Sequence, residues 1–278
     1  MIALLANPDS GSGEADDVER LLDARGLAFS RFDLDRVDDA LAARPERIVV
    51  AGGDGTVGCA ADAAARAAVP LGVVPVGTAN DFARALDLPT DVTRAAELAA
   101  TGGRTVALDL GRFDGRPFVN AASAGLSPVA ARRARGLKRI LGPFAYAVGA
   151  LRAGLSATPV TARVTVDGEV AFDGRAWQVI VGLTGAFGGG AEVDADPADG
   201  RFDVVVIEAG SRARLVIHGY GLRAGRVERQ AGVHSARGEQ VEVETAGGSG
   251  FNVDGELRSE RGLSFTLQPR GFKVVVGP

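Results

Sequence analysis

A single carboxylate set among glycines stands at Gly52-Gly53-Asp54-Gly55-Thr56, directly behind the apolar run Ile48-Val49-Val50-Ala51. Glycine lets the backbone turn sharply and approach a ligand with no Cβ in the way. The alanine-rich segment that follows reads as a helix, and the unpaired N–H groups at its start favour an anion. The chemistry this suits is phosphate binding, with Asp54 inside the turn; a plain tight turn carries the same signature. Two further turns stand in the same relation to a strand. Asn7-Pro8-Asp9-Ser10-Gly11-Ser12-Gly13 follows Ile2 to Ala6, and Gly77-Thr78-Ala79-Asn80-Asp81-Phe82-Ala83-Arg84 follows Leu71 to Val76. Asn80 or Thr78 can cap the helix behind the latter, and Asp81 favours its first turn. A fourth stretch, Asp194 to Asp203, carries four aspartates around Pro197 and Gly200. Oxygen ligands at that density suit a hard cation such as Mg²⁺ or Ca²⁺, and an acidic surface turn reads equally well.

The elements that must position these residues alternate in the first half. Short apolar strands at Ile2 to Ala6, Ala28 to Leu34, Ile48 to Val50 and Leu71 to Val76 are separated by helical segments at Glu14 to Arg25, Val37 to Ala43 and Val57 to Ala68. Alternation of this kind predicts parallel βαβ units. In an open parallel sheet, ligands bind beyond the carboxyl ends of the strands. The three turns all follow strands, so the prediction places them at one edge. A further helix is expected from Asp91 to Ala100, capped by Thr90 or Asp91.

From Thr105 the pattern changes. Thr105 to Phe113 and Pro117 to Ala122 read as strands joined at Asp114-Gly115, a hairpin signal. A second hairpin is expected across Asp167-Gly168, between Val160 to Val166 and Val170 to Leu183. Helices are predicted over Pro128 to Ser156 and Ser211 to Ala224. Strands are predicted at Phe202 to Ile207, Val227 to Val233, Gln240 to Glu244, Phe251 to Val253, Leu263 to Leu267 and Phe272 to Val276. Short antiparallel strands in this number suit a sandwich or barrel. Within Pro128 to Ser156, Arg132, Arg133, Arg135, Lys138 and Arg139 form a basic cluster beside Leu141, Phe144 and Tyr146. That pairing suits an anionic lipid surface, or simply a solvated face beside a core-facing one.

Composition narrows the function classes. The chain has 278 residues and a net charge of −4, which gives no support to nucleic-acid binding. Cys59 is the single cysteine and His218 and His234 are the two histidines, so neither a disulfide nor a histidine-based metal site is expected. Met1 leads straight into an apolar strand with no basic leader, and no uninterrupted apolar run approaches about 18 residues. The expectation is a cytoplasmic protein that meets a membrane, if at all, peripherally at the inner face.

Taken together, the motifs resemble the diacylglycerol kinase catalytic family, which includes bacterial lipid kinases and the sphingosine and ceramide kinases. The pieces that carry the resemblance are Asn7-Pro8-x-Ser10-Gly11, Gly52-Gly53-Asp54-Gly55-Thr56, Pro75-x-Gly77-Thr78-Ala79-Asn80-Asp81-Phe82-Ala83-Arg84 and Phe118-x-Asn120. Gly188-Gly189-Gly190, Pro197-Ala198-Asp199-Gly200-x-Phe202-Asp203 and Val253-Asp254-Gly255-Glu256 complete the set, in family order. Gly-Gly-Asp-Gly alone is shared with NAD kinases and phosphofructokinases; the Gly-Thr-x-Asn-Asp-Phe-Ala-Arg piece is far more specific.

The resemblance implies a phosphofructokinase-like (NAD kinase-like) three-layer α/β domain over residues 1–122 and an antiparallel β-sandwich acceptor domain over residues 123–278, with the last residues returning to the first domain. It implies an ATP- and Mg²⁺-dependent lipid kinase acting on a hydroxyl such as that of diacylglycerol. A soluble acceptor, NAD included, and a weakly active nucleotide- or lipid-binding regulator are the rival readings. By resemblance, ATP is contacted by Asn7, Ser10, Gly52, Gly53, Gly55, Thr56, Gly77, Thr78, Asn80 and Arg84. Asp254 is implied as the general base with Glu256 beside it, and Asp54 and Asp81 as members of the carboxylate network around the catalytic Mg²⁺. Asp199 is implied to hold a second, structural Mg²⁺, with the Phe202 carbonyl as a further ligand. Exposed sandwich edges are compatible with a homodimer. Cys59 departs from the family pattern, which often has Glu there, and no Lys or Arg follows the first turn.

Overall fold

The computed structural model describes residues 1–6, 13–126, 158–246 and 250–278. The expected turn from Asn7, with Asn7 and Ser10, lies outside the described residues, as does nearly all of the expected helix with its basic cluster.

Four short strands begin the fold: β1 (Ile2–Ala6), β2 (Phe29–Asp33), β3 (Arg47–Gly52) and β4 (Pro70–Pro75). They pair in the order β2-β1-β3-β4, all parallel. Strands β1, β3 and β4 are nearly continuous apolar runs because both faces of this sheet are covered. Ile2, Leu4, Val49, Ala51 and Val74 face α1 (Glu14–Ala24) and α5 (Val92–Thr101). Ala3, Leu5, Ile48, Val50 and Val73 face α2 (Val37–Ala42) and α3 (Asp54–Ala67). The result is the expected three-layer α/β unit. The short helix α4 (Asp81–Ala85) follows β4, and Asp91 caps α5 by accepting the Arg94 N–H at 2.9 Å.

The second half is antiparallel. Its strands are β5 (Thr105–Phe113), β6 (Arg116–Phe118), β7 (Ala121–Gly125), β8 (Val160–Val166), β9 (Glu169–Gly182), β10 (Ala186–Phe187), β11 (Ala191–Glu192) and β12 (Phe202–Glu208). Helix α6 (Arg212–Arg223) then precedes β13 (Val233–Gly238), β14 (Gln240–Ala246), β15 (Phe251–Val253), β16 (Glu256–Arg258) and β17 (Gly262–Val275). Strands β8 and β14 alternate buried and exposed residues, the period-2 pattern of a sandwich wall. Phe113, Phe118, Phe202, Phe251 and Phe265 fill the sandwich core, with Phe118 stacked on Phe202 at 5.9 Å between ring centroids.

Strand β17 joins the halves. Its first part pairs with β14 and β5, and its last residues pair in parallel with β4, Val274 opposite Leu71. The chain therefore ends inside the sheet it began.

Three expected elements differ. Leu263 to Leu267 and Phe272 to Val276 form one strand, irregular between Gln268 and Phe272, because the Arg270 N–H turns aside to the buried Asp109 carboxylate at 2.7 Å. The strand expected over Pro117 to Ala122 is divided into β6 and β7, since the N–H groups of Val119, Asn120 and Ala121 are given to Asp254. The strand expected over Val227 to Val233 is a 3₁₀ turn, Val227–Arg229, followed by a turn through Gly232 at φ 79°. Only Val227 of that turn is buried, so no two-residue alternation exists to hold a strand.

Candidate active site

Parallel pairing brings the ends of β3 and β4 together, and the loops beyond them touch. The Val76 N–H donates to the Gly52 carbonyl at 3.2 Å. A methyl group placed on Gly77 would lie 2.5 Å from the Gly53 Cα, so two backbones meet where no side chain fits. Asn80 does not cap α4 through its side chain. It adopts a left-handed conformation (φ 50°), accepts the Gly77 N–H through Oδ1 at 2.9 Å and donates to the Gly77 carbonyl at 3.0 Å. The Asn80 amide thus clamps its own loop, leaving the first turn of α3 and the glycine backbone facing the cleft. This is a cradle for an anion. Gly52, Gly53, Gly55, Thr56, Gly77 and Asn80 are brought together here; Thr78 lies in the same loop.

The carboxylates converge from both halves. Asp54, the first residue of α3, accepts the Phe82 N–H at 2.9 Å and the Asn120 amide at 3.0 Å through one oxygen. Asn120 is 1% exposed and in turn accepts the Thr184 hydroxyl at 2.8 Å. Asp81, at 5% exposure, accepts the Gly189 N–H at 3.1 Å and pairs with Arg84. Burial raises the Asp81 pKa, and the neighbouring Asp54 carboxylate adds to the rise. Asp81 therefore ties the Gly188-Gly189-Gly190 loop to the α/β unit. Arg84 is occupied by Asp81 and lines a cavity of about 370 Å³ with Thr184, Glu192 and Gly225.

Asp254 sits at the tip of the β15–β16 hairpin at φ 45°, followed by Gly255 at φ 85°, the left-handed pair an Asp-Gly turn supplies. One carboxylate oxygen accepts N–H groups from Asn120 at 3.0 Å and Ala121 at 3.1 Å, and the other accepts Val119 at 2.8 Å. Burial pushes its pKa up to about 7, helped by Asp54 and opposed by the three N–H donors. Glu256 reaches back over the Gly52–Thr56 loop: its Oε1 would lie 2.8 Å from a methyl group on Gly55. Its other oxygen pairs with Arg258 at 2.5 Å, and Arg258 rests 5.4 Å above the Phe113 ring. Gly55, Cys59, Phe118, Asp254, Glu256 and Arg258 enclose a small cavity of about 160 Å³. Desolvation and the carboxylates of Glu256, Asp62 and Asp254 raise the Cys59 thiol pKa, so Cys59 stays a neutral wall group rather than a nucleophile.

Asp54 thus acts electrostatically on both Asp81 and Asp254. This concentration of negative charge beside an anion cradle fits a divalent cation, which keeps most of its water and takes one or two carboxylates. The Asp199 position is different. Its carboxylate accepts the Arg201 N–H at 3.0 Å and is paired with Arg237, which also holds Asp203 at 2.7 Å. Among the described residues, no three His, Cys, Asp or Glu side chains are grouped to hold a metal, at Asp199 or at Asp54, Asp81 and Asp254, so a cation here would rest on one or two carboxylates and water. Asp199 faces the Arg237 guanidinium rather than an open cation position, and no step is derived through a second metal ion at Asp199 and the Phe202 carbonyl.

Sequence reasoning assigned no role to Asp109, Thr184 or Arg237. Asp109 is 1% exposed and accepts the N–H groups of Gly200 and Arg270, each at 2.7 Å, fixing the Pro197–Gly200 turn. The signal was a lone aspartate inside an apolar strand. Asn120 stood in a quoted motif, but its bond to Asp54 spans 66 positions.

An anion cradle on an α/β unit, faced across a cleft by a carboxylate from a β-sandwich, defines a two-part phosphotransferase. Residues 1–113 match the diacylglycerol kinase catalytic domain, and residues 120–276 match the YegS C-terminal NAD kinase β-sandwich-like domain. A diacylglycerol kinase of Staphylococcus saprophyticus is 32% identical over 91% of this chain and 88% of its own length. One of Staphylococcus aureus is 30% identical over 98% of this chain and 90% of its own. The crystal structure of a diacylglycerol kinase from Bacillus anthracis str. Sterne shares the fold, with a TM-score of 0.79 at 22% identity over 100% of this chain and 97% of that one. The chain belongs to the diacylglycerol kinase family and is an enzyme of the lipid-kinase class.

Proposed function

We propose that this chain transfers the γ-phosphoryl group of ATP, with Mg²⁺, to the hydroxyl of a lipid such as diacylglycerol. The observation that carries the reading is the convergence of Asp54, Asp81 and Asp254 through Asn120 and the Gly189 loop. ATP when bound supplies the phosphoryl group and Mg²⁺ offsets its charge; Asp54 and Asp81 are the residues that would hold the metal, through its water shell. Glycines 52, 53, 55 and 77 let the two loops pack closely at the start of α3, whose N-terminal end would face the phosphates. Asp254, raised to about 7, is poised near neutrality to take the acceptor hydroxyl proton as oxygen attacks phosphorus. The three N–H donors fix its carboxylate, and Glu256 with Arg258 shapes the cavity beside it. Phosphoryl transfer asks for positioning and charge neutralisation more than for covalent work, so a sparse carboxylate set suffices.

Transfer to dispersed diacylglycerol, with ATP against no donor and with Mg²⁺ against a chelator, tests the donor and the metal together. The reading expects phosphatidic acid only when both are present. Equal product without Mg²⁺ would overturn the metal assignment.

A further inference from the structure

Helix α6 packs on the sandwich through Leu215, Leu222 and His218, near the buried Val205, Ile207 and Val227. Its other side is apolar and exposed: Ile217 is 58% and Tyr220 76% accessible, three positions apart on one helix. Among the described residues, Val170 is the one other large hydrophobic side chain so exposed. Arg212, Arg214 and Arg223 are exposed on this helix and Arg226 and Arg229 just beyond its end, against the single acid Glu228 between residues 212 and 229. Glu228 is itself engaged, accepting the Asp194 N–H at 3.0 Å. None of the five arginines has an ion-pair partner among the described residues, whereas Arg20, Arg31, Arg36 and Arg66 each face a carboxylate. A chain of net charge −4 thus gathers five arginines, without ion-pair partners among the described residues, on and just beyond one helix that also exposes apolar side chains.

We propose that this face of α6 docks the enzyme on an anionic lipid bilayer, an inference that rests on the lipid-acceptor reading above. Ile217 enters the acyl boundary, Tyr220 sits at headgroup level, and the arginines meet lipid phosphates. Negative charge elsewhere on the molecule does not oppose this strongly, because salt screens it beyond about 8 Å. A twofold contact between copies would set arginine against arginine, which disfavours a second copy as the occupant. The face also adjoins the cleft. The Arg223 guanidinium lies 3.7 Å from where a Gly190 Cβ would stand, and the adjacent Gly189 is held by Asp81. Docking through α6 therefore brings the glycine loop close to the membrane that holds the acceptor.

The test is co-sedimentation of the full chain with vesicles of phosphatidylcholine alone or mixed with phosphatidylglycerol, for the wild type, Ile217→Ser/Tyr220→Ser and Arg212→Gln/Arg226→Gln. The wild type is expected to bind the anionic vesicles, each double variant to lose at least about tenfold in partition, and the melting temperature to hold. Phosphorylation of diacylglycerol within vesicles should fall in parallel, while that of monodisperse short-chain diacylglycerol should not. Absence of wild-type binding, equal binding to neutral vesicles, or unchanged binding by the variants would overturn the proposal. So would a dimer that Ile217→Ser/Tyr220→Ser converts to monomer with vesicle binding intact. If α6-dependent binding holds but no diacylglycerol is phosphorylated, docking stands and the acceptor reading falls.

Discussion

Replacing Asp254 by Asn removes the proton acceptor and keeps the side-chain size. Three backbone N–H groups now converge on the carboxylate. An amide offers one oxygen, so at least one donor is orphaned, at a cost of about 1–3 kcal/mol. Losing a desolvated charge offsets part of that cost, so the variant is expected to fold. Loss of a general base is worth about 10²–10⁴ in rate, or about 2.7–5.5 kcal/mol of barrier. The wild-type kcat/KM is expected to rise with pH about a midpoint near 7, where Asp254 ionises. The variant should be slow and flat across the same range. Stability follows with a definite sign. A carboxyl whose folded pKa lies near 7, above its ordinary 3.8, binds more protons folded than unfolded, so its contribution falls as pH rises through that window. Asp203, raised by burial to about 6, acts in the same direction. Initial rates on dispersed diacylglycerol between about pH 5.5 and 9, with urea unfolding of both proteins, measure both effects. Unchanged turnover in Asp254→Asn would refute the base assignment, as would a variant that keeps the wild-type pH limb.

Asn120→Ala removes a buried donor from Asp54 and an acceptor from Thr184; urea unfolding should show a loss of about 1–3 kcal/mol, with kcat falling at least about tenfold. Gly77→Ala places a methyl group against the Gly53 backbone. Calorimetry should find ATP affinity reduced by about tenfold or more, since one loop must move off the other. Arg237→Met leaves Asp199 and Asp203 side by side without their shared cation. Because Arg237 is half-exposed, the loss should be about 1 kcal/mol at pH 8, and it should be recovered on acidification already above pH 6, because Asp203 without the Arg237 cation takes its proton at a higher pH than it does beside it.

The parallel sheet was readable because β1, β3 and β4 are buried on both faces and their sequences record this as unbroken apolar runs. That the Gly52 and Gly77 loops share an edge also follows from strand order. At Asp254-Gly255 the local pattern shows only a turn behind a strand, and the role of Asp254 came from the resemblance, since an Asp-Gly turn looks alike whether or not its carboxylate turns inward. What stayed hidden is held by pairs far apart in the chain: Asp54 with Asn120, Asp109 with Arg270, Asp199 with Arg237. Such contacts leave no local period. Asn80 illustrates the same limit at short range, because its residue type suits a helix cap while its left-handed backbone turns the amide back onto Gly77.

The most direct measurement offers labelled ATP and Mg²⁺ to diacylglycerol, sphingosine and NAD side by side and identifies the labelled products. The account predicts label in a phosphorylated lipid, with phosphatidic acid from diacylglycerol, and loss of that label in Asp254→Asn. Label in NADP alone, or in none of the three while ATP still binds, would contradict it.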